Sequence, residues 1–178
     1  GGGIGDVESA GAVLDAGANR VSISSAAFRK PEVIQQVVER FGSERVTIAI
    51  DVDRNERLPS GYEVYIDGGR TATGTDAIEW AKRVEGFGVQ VILPTSKATD
   101  GAKTGYDLPL IRAIKGAVSC EIVASGGAGT LEHFYDAAQA GAVVLLAASV
   151  FHFRMIEIAA LKKYLEARGM RVSEPKRS

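Results

Sequence analysis

Short runs of β-branched and aliphatic residues alternate along the chain with segments whose apolar positions recur every three or four residues. The runs are VSIS 21–24, VTIAID 46–51, VQVIL 89–93, EIVAS 121–125 and VVLLAAS 143–149. Each is nearly continuous in hydrophobicity, the mark of a strand covered on both faces. The periodic segments are DVESAGAVLDAG 6–17, PEVIQQVVERFG 31–42, TDAIEWAKRVEGFG 75–88, LPLIRAIKG 108–116, LEHFYDAAQAG 131–141 and EIAALKKYLEARG 157–169. Pro31 and Pro109 stand in first turns, and Gly17, Gly42, Gly88, Gly141 and Gly169 stand where helices should stop. The order predicts one α/β domain over 1–172, a parallel sheet wrapped by helices. A frayed polar tail, SEPKRS, follows at 173–178. YEVYI 62–66, between LPSG and DGG, predicts a β-hairpin arm in the connection after VTIAID.

Composition narrows the function classes. With 21 Lys and Arg against 22 Asp and Glu the net charge is −1, so no basic face for nucleic acid or an anionic membrane is expected. The longest apolar run, near 142–149, is far short of the roughly 18 residues that span a bilayer. The single Cys120 cannot form an intramolecular disulfide and reads as a small buried residue opening a strand. That suits a reducing compartment, and the cytoplasm is the expected location. No residue grouping calls for a metal or an organic cofactor.

Polar residues gather where the strands end: Ser24 and Ser25, Asp51, Thr95 and Ser96, Ser125 with Gly126 and Gly127, and Ser149. In parallel α/β sheets and barrels ligands bind at that carboxyl edge. The chain also repeats itself. Residues 2–25 lie over 126–149 without a gap, matching Gly2, Gly3, Gly5, Glu8, Ala16, Gly17, Ala18 and Ser25 to Gly126, Gly127, Gly129, Glu132, Ala140, Gly141, Ala142 and Ser149. Each copy joins a glycine-rich turn, rich in free N–H groups, to a serine one strand later. Two such copies predict two phosphate cradles, and hence a ligand with a phosphate at each end. Asp51 ends a buried strand, where a carboxylate is costly and usually serves chemistry. Extended backwards, the repeat would put its counterpart before residue 1.

VSISSAA 21–27, AIDVDR 49–54, GGRTATGTDAIEWAKRVEGFG 68–88, TDGAKTGYD 99–107, ASGGAGTLEHF 124–134 and AASVFHF 147–153 resemble the cyclase subunit of imidazole glycerol phosphate synthase. The resemblance covers nearly the whole chain and implies a (βα)8 barrel of histidine biosynthesis. It implies a bisphosphorylated ribotide as substrate, ammonia from a glutaminase partner, and two catalytic aspartates, one matched by Asp51. It implies one phosphate near Gly3, Ser24 and Ser25, and a second near Gly126, Gly127, Ala148 and Ser149. Thr95, Asp100 and Gly101 fall on or beside the loop after the sixth family strand. His133 and His152 are signature residues, read here as packing or capping groups.

In family terms the chain starts at the end of strand three, so the expected fold is a partial barrel. It has about five parallel strands and a strand-three stub, completed by homo-oligomerisation or by a missing segment supplied by another chain. The other catalytic aspartate has no position. Departures from the family pattern reduce charge: Asn19, Val91 and Val143 stand for acids, and Ala98 for a carboxylate in SKATDG. Pro94 is expected to interrupt its strand. Together these argue against a working glutaminase contact. Two readings follow: a cyclase, inactive as an isolated chain, or a non-catalytic fragment, natural or engineered, that keeps phosphate sites.

Overall fold

Four helices begin where a short polar side chain satisfies free N–H groups of the first turn. Asp6 does so for α1 (Val7–Asp15) and Asp76 for α4 (Ala77–Gly86), while Asp107 accepts from Leu110 N in α5 (Leu108–Ala117) and Thr130 from His133 N in α6 (Leu131–Gln139). The computed structural model describes residues 2–173, so of the expected tail only Ser173 lies among the described residues. The strands are β1 (Val21–Ile23), β2 (Val46–Arg54), β3 (Tyr62–Ile66), β4 (Thr71–Asp76), β5 (Val91–Ser96), β6 (Glu121–Ala124) and β7 (Ala142–Leu145). The remaining helices are α2 (Ser25–Arg29), α3 (Glu32–Phe41), α7 (Ser149–His152) and α8 (Ile158–Glu166).

Five strands are parallel, in the order β1-β2-β5-β6-β7, with the longest register between β2 and β5 from Thr47↔Val91 to Val52↔Ser96. This is an α/β fold with a mostly parallel sheet, consistent with a barrel of the TIM type. β1 and β7 flank it, and among the described residues neither pairs with the other. The sheet's interior is aliphatic: Ile48, Ile50, Ile92 and Ile122 are fully buried. Phe134 of α6 packs edge-on against Tyr106 and stacks obliquely on Phe151 at 5.7 Å.

Three expectations need correction. The hairpin arm is real, but it is built on β2 itself: Asp51↔Tyr65 through Arg54↔Tyr62 pair antiparallel to β3. Its return strand is β4, TATGTD, half of whose residues are exposed and which carries no alternating apolar signal. The helix expected from residue 75 therefore starts at Ala77. VVLLAAS does not run as one strand to 149; β7 ends at Leu145, and Ser149 is the first residue of α7. Pro94 does not end its strand, for it pairs with Ile50 inside β5. Its missing N–H shows on the other side, where the β5–β6 ladder stops at Ile92↔Ile122 and returns only as a bridge between Thr95 and Ser125.

Candidate functional site

The internal repeat survives folding down to single hydrogen bonds. Asp6 accepts from Ser9 N, and Ser9 Oγ in turn accepts from Gly5 N and Asp6 N, each at 3.2 Å. At the equivalent positions of the second copy, Thr130 Oγ1 accepts from His133 N. There His133 Nδ1 accepts from Gly129 N at 3.1 Å and Thr130 N at 3.3 Å. Both are capping boxes, which bind a helix start to the glycine turn before it. Gly3 and Gly127 share positive φ, +82° and +99°, as do Gly17 and Gly141 at +103° and +108°. Those angles are open to glycine and strained for other residues. Ser25 and Ser149 each open a short helix, α2 or α7, that has no side-chain cap.

Each copy borders a cavity at the carboxyl edge of the sheet. The first, about 470 Å³, brings together Gly3, Ser24, Ser25 and Asp51, with Gly68 from the hairpin tip. The second, about 240 Å³, brings together Asp100, Gly101, Gly126, Gly127, Ala148 and Ser149. Thr95 lines neither cavity; it lies beside Asp51 in the β2–β5 register. His133 is a capping group as expected, while His152 is exposed at the end of α7 with its ring edge-on to Phe153. Cys120 is buried directly before β6, its thiol pushed up to about 11 by burial and by the Glu85 carboxylate. At the opposite, amino edge, Arg20, Glu85 and Glu121 border a further cavity of about 310 Å³. Among the described residues no cluster of side chains is set to hold a metal. No described helix is long and apolar enough to cross a membrane.

The elements that close the cavities come from two connections whose landing places the sequence did not reveal. The hairpin tip crosses to the first: Asp67 N donates to Ser25 Oγ at 2.8 Å, and the Asp67 carboxylate takes both hydrogen bonds from Arg29 Nη2 at 2.8 and 2.7 Å. This guanidinium, with Thr71 Oγ1, holds the Asp67 carboxyl below the usual range. The loop 97–107 covers the second. Gly105 N donates to Gly127 O at 2.8 Å, and a Cβ on Gly127 would meet Gly105 O at 2.0 Å. The loop's end is anchored by Asp107, which is buried and accepts from Tyr62 Oη and Ser96 Oγ, both at 3.0 Å. Burial and the Asp107 carboxylate push the Tyr62 hydroxyl well up, so it stays a donor.

Asp51 lines the first cavity, and Asp100 lines the second. Burial, and then the Asp100 carboxylate, push its pKa above the ordinary value; the N–H of Gly69 and the ammonium of Lys97 pull the other way. A half-buried carboxylate with a raised pKa, lining the first cavity and opposed by the Asp100 carboxylate of the second, is suited to exchanging protons with a bound ligand.

A family model described as "Histidine biosynthesis protein" matches residues 1–157. Imidazole glycerol phosphate synthase subunit HisF of Pyrobaculum aerophilum is 48% identical over 172 residues, which covers 97% of this chain and 67% of that protein. The subunit of the same name from Nocardia farcinica is 48% identical over 169 residues, covering 93% and 66%. The chain thus spans about two thirds of the length of these curated relatives.

Proposed function

The chain belongs to the histidine biosynthesis protein family, and from that premise we propose that it carries the cyclase chemistry of imidazole glycerol phosphate synthase. The ligand is a ribotide with a phosphate at each end, one in each cavity, its reacting centre laid across Asp51. The observation that supports this most directly is the matched pair of glycine-and-serine cradles on one edge of the sheet, the first of them lined also by Asp51. Bare N–H groups of a glycine turn and a hydroxyl fit a phosphate without a bound metal.

Ring closure with ammonia needs one proton removed and another delivered. Asp51 supplies one exchanging group. The family pattern calls for a second aspartate, which no residue of the 178 matches. The 178-residue polypeptide by itself therefore binds the bisphosphate but turns it over very slowly. A glutaminase contact is disfavoured by Val91, which is buried and apolar where the family pattern has an acid. Val143 and Val144, exposed along β7, favour a second copy of the chain covering that flank.

Ammonia-dependent turnover of the bisphosphate intermediate by the 178-residue chain, beside Asp51→Asn, tests the reading. Tight binding with little turnover is expected in both. Turnover that Asp51→Asn removes would overturn the inactivity of the isolated chain, and absence of phosphate-dependent binding would overturn the cyclase reading. Light scattering that finds only monomer would overturn the second copy.

A further inference from the structure

Lys97 directly follows β5, and its N–H donates to Val52 O at 2.8 Å. That bond registers it with the residue between Asp51 and Asp53. Two apart on one strand, those aspartates leave the same face. Three contacts hold the Lys97 side chain over that face. Its ammonium is 3.2 Å from Asp53 Oδ2. It also lies 3.6 Å from the centroid of the Tyr65 ring, within the range of a cation–π contact. Its methylenes rest on Gly69, where a Cβ would come within 3.2 Å of Lys97 Cδ. Gly69 is the residue whose N–H acts on Asp51. The neighbouring Arg54 is turned away, stacked on Tyr62 at 4.3 Å and 3.4 Å from Asp107. Tyr65 is the register partner of Asp51, so the ammonium over its ring lies on the Asp51 side of the hairpin.

We propose that Lys97 is a positioning residue for the reaction: clamped by Asp53, Tyr65 and Gly69, it holds its ammonium on the Asp51 face of β2, where it favours the carboxylate that accepts a proton. The role of Asp51 in turnover rests on the cyclase reading; the electrostatic coupling does not. The groups facing the pair are Asp100, which opposes Lys97, Asp53, which shares its charge, and Tyr65, which holds it by the ring.

The full chain, labelled with 13C at aspartate carboxylates, tests this without turnover. The Asp51 signal, assigned through Asp51→Asn, is followed against pH in the wild type, Lys97→Met, Lys97→Gln, Lys97→Arg and Asp53→Asn. Removing the ammonium is expected to move the Asp51 midpoint up by about half a unit, about threefold in proton affinity. Lys97→Arg should restore it, and Asp53→Asn should move it down by freeing the ammonium. Lys97 is one-third exposed, so both neutral variants should keep the wild-type amide spectrum. If Met disturbs the fold, Gln decides. An Asp51 midpoint unmoved in the folded neutral variant, or not restored by Arg, overturns the proposal. A shifted midpoint in a chain that fails to bind the bisphosphate would instead overturn the cyclase reading and leave the coupling standing.

Discussion

The two halves of the repeat share their glycines, serines and capping boxes, yet the same letters meet different surroundings. In the second copy a Cβ on Gly127 would strike Gly105 O at 2.0 Å, and one on Gly129 would strike Lys103 O at 2.3 Å. In the first copy Gly3 and Gly5 have nothing within 4 Å of that position. The second cradle is packed beneath loop 97–107; the first is met from the side, at Ser25, by the hairpin tip. A glycine motif thus does two separate jobs. It permits a left-handed backbone, which both copies need, and it admits a close neighbour, which only the second copy has.

Paired substitutions separate those jobs, and they carry the largest expected effect. Gly3→Ala pays only for positive φ, about 1–2 kcal/mol. Gly127→Ala adds a clash with backbone that has to move, for a total of about 3 kcal/mol or more. Urea midpoints of the two variants should differ accordingly. Equal losses would mean that loop 97–107 yields freely and that the two cradles are mechanically alike.

That contrast also explains what could be read beforehand. The parallel strands and their helices were legible because burial on both faces makes strands apolar throughout, and because proline and glycine punctuate the helices. The matched cradles were legible because a phosphate turn needs glycine at fixed spacing. What covers them was not. TATGTD is polar and half exposed, held as β4 by its partner β3 and not by its own hydrophobicity. The Asp67–Ser25 and Gly105–Gly127 bonds join residues far apart in sequence, and nothing local in GGR or KTG marks where they land. Pro94 suggested a strand end because its missing donor is a local fact, whereas its pairing with Ile50 depends on which edge faces β2.

The cradles also differ in charge. The Asp100 carboxylate sits over Gly126, with Oδ1 3.3 Å from where a Cβ would lie, and no acid touches the first glycine turn in that way. Asp100→Asn is therefore expected to tighten inorganic phosphate at Gly127 and Ser149 by about fivefold, about 1 kcal/mol, without changing shifts at Gly3 and Ser25. Amide chemical shifts read both sites in one titration. An equal response at both would show that the carboxylate acts on the whole rim.

The capping boxes offer a finer comparison. Ser9→Ala and His133→Ala each remove an acceptor for two N–H groups, and each should cost about 1 kcal/mol. The histidine should be the dearer of the two, because its ring also lies against Gly105 of the covering loop, 3.5 Å from where a Cβ would be. Amide exchange should accelerate at Gly5 and Asp6 in one variant, and at Gly129, Thr130 and Gly105 in the other. Exchange at Gly105 that does not change would separate the cap from the loop.

The smallest expected effect runs in the opposite direction, toward greater stability. Burial, then Asp100, raises the pKa of Asp51, so the native chain holds that proton more tightly than the unfolded chain does. Folding stability from this group is then full at low pH and falls as pH rises from the unfolded carboxylate value, about 3.9, through the higher folded value. Asp67 has the opposite sign: its lowered pKa gives stability that is present at neutral pH and lost on acidification. Asp51→Asn removes the charge, and its side-chain oxygen can still face the Gly69 N–H. The variant should unfold at slightly higher urea than the wild type at pH 7, and the two should converge near pH 3. Stability unchanged at pH 7 would mean that Lys97 and Gly69 already offset the whole cost of burying the charge. Asp51 would then be an ordinary rim carboxylate and not one held under strain beside the first cavity.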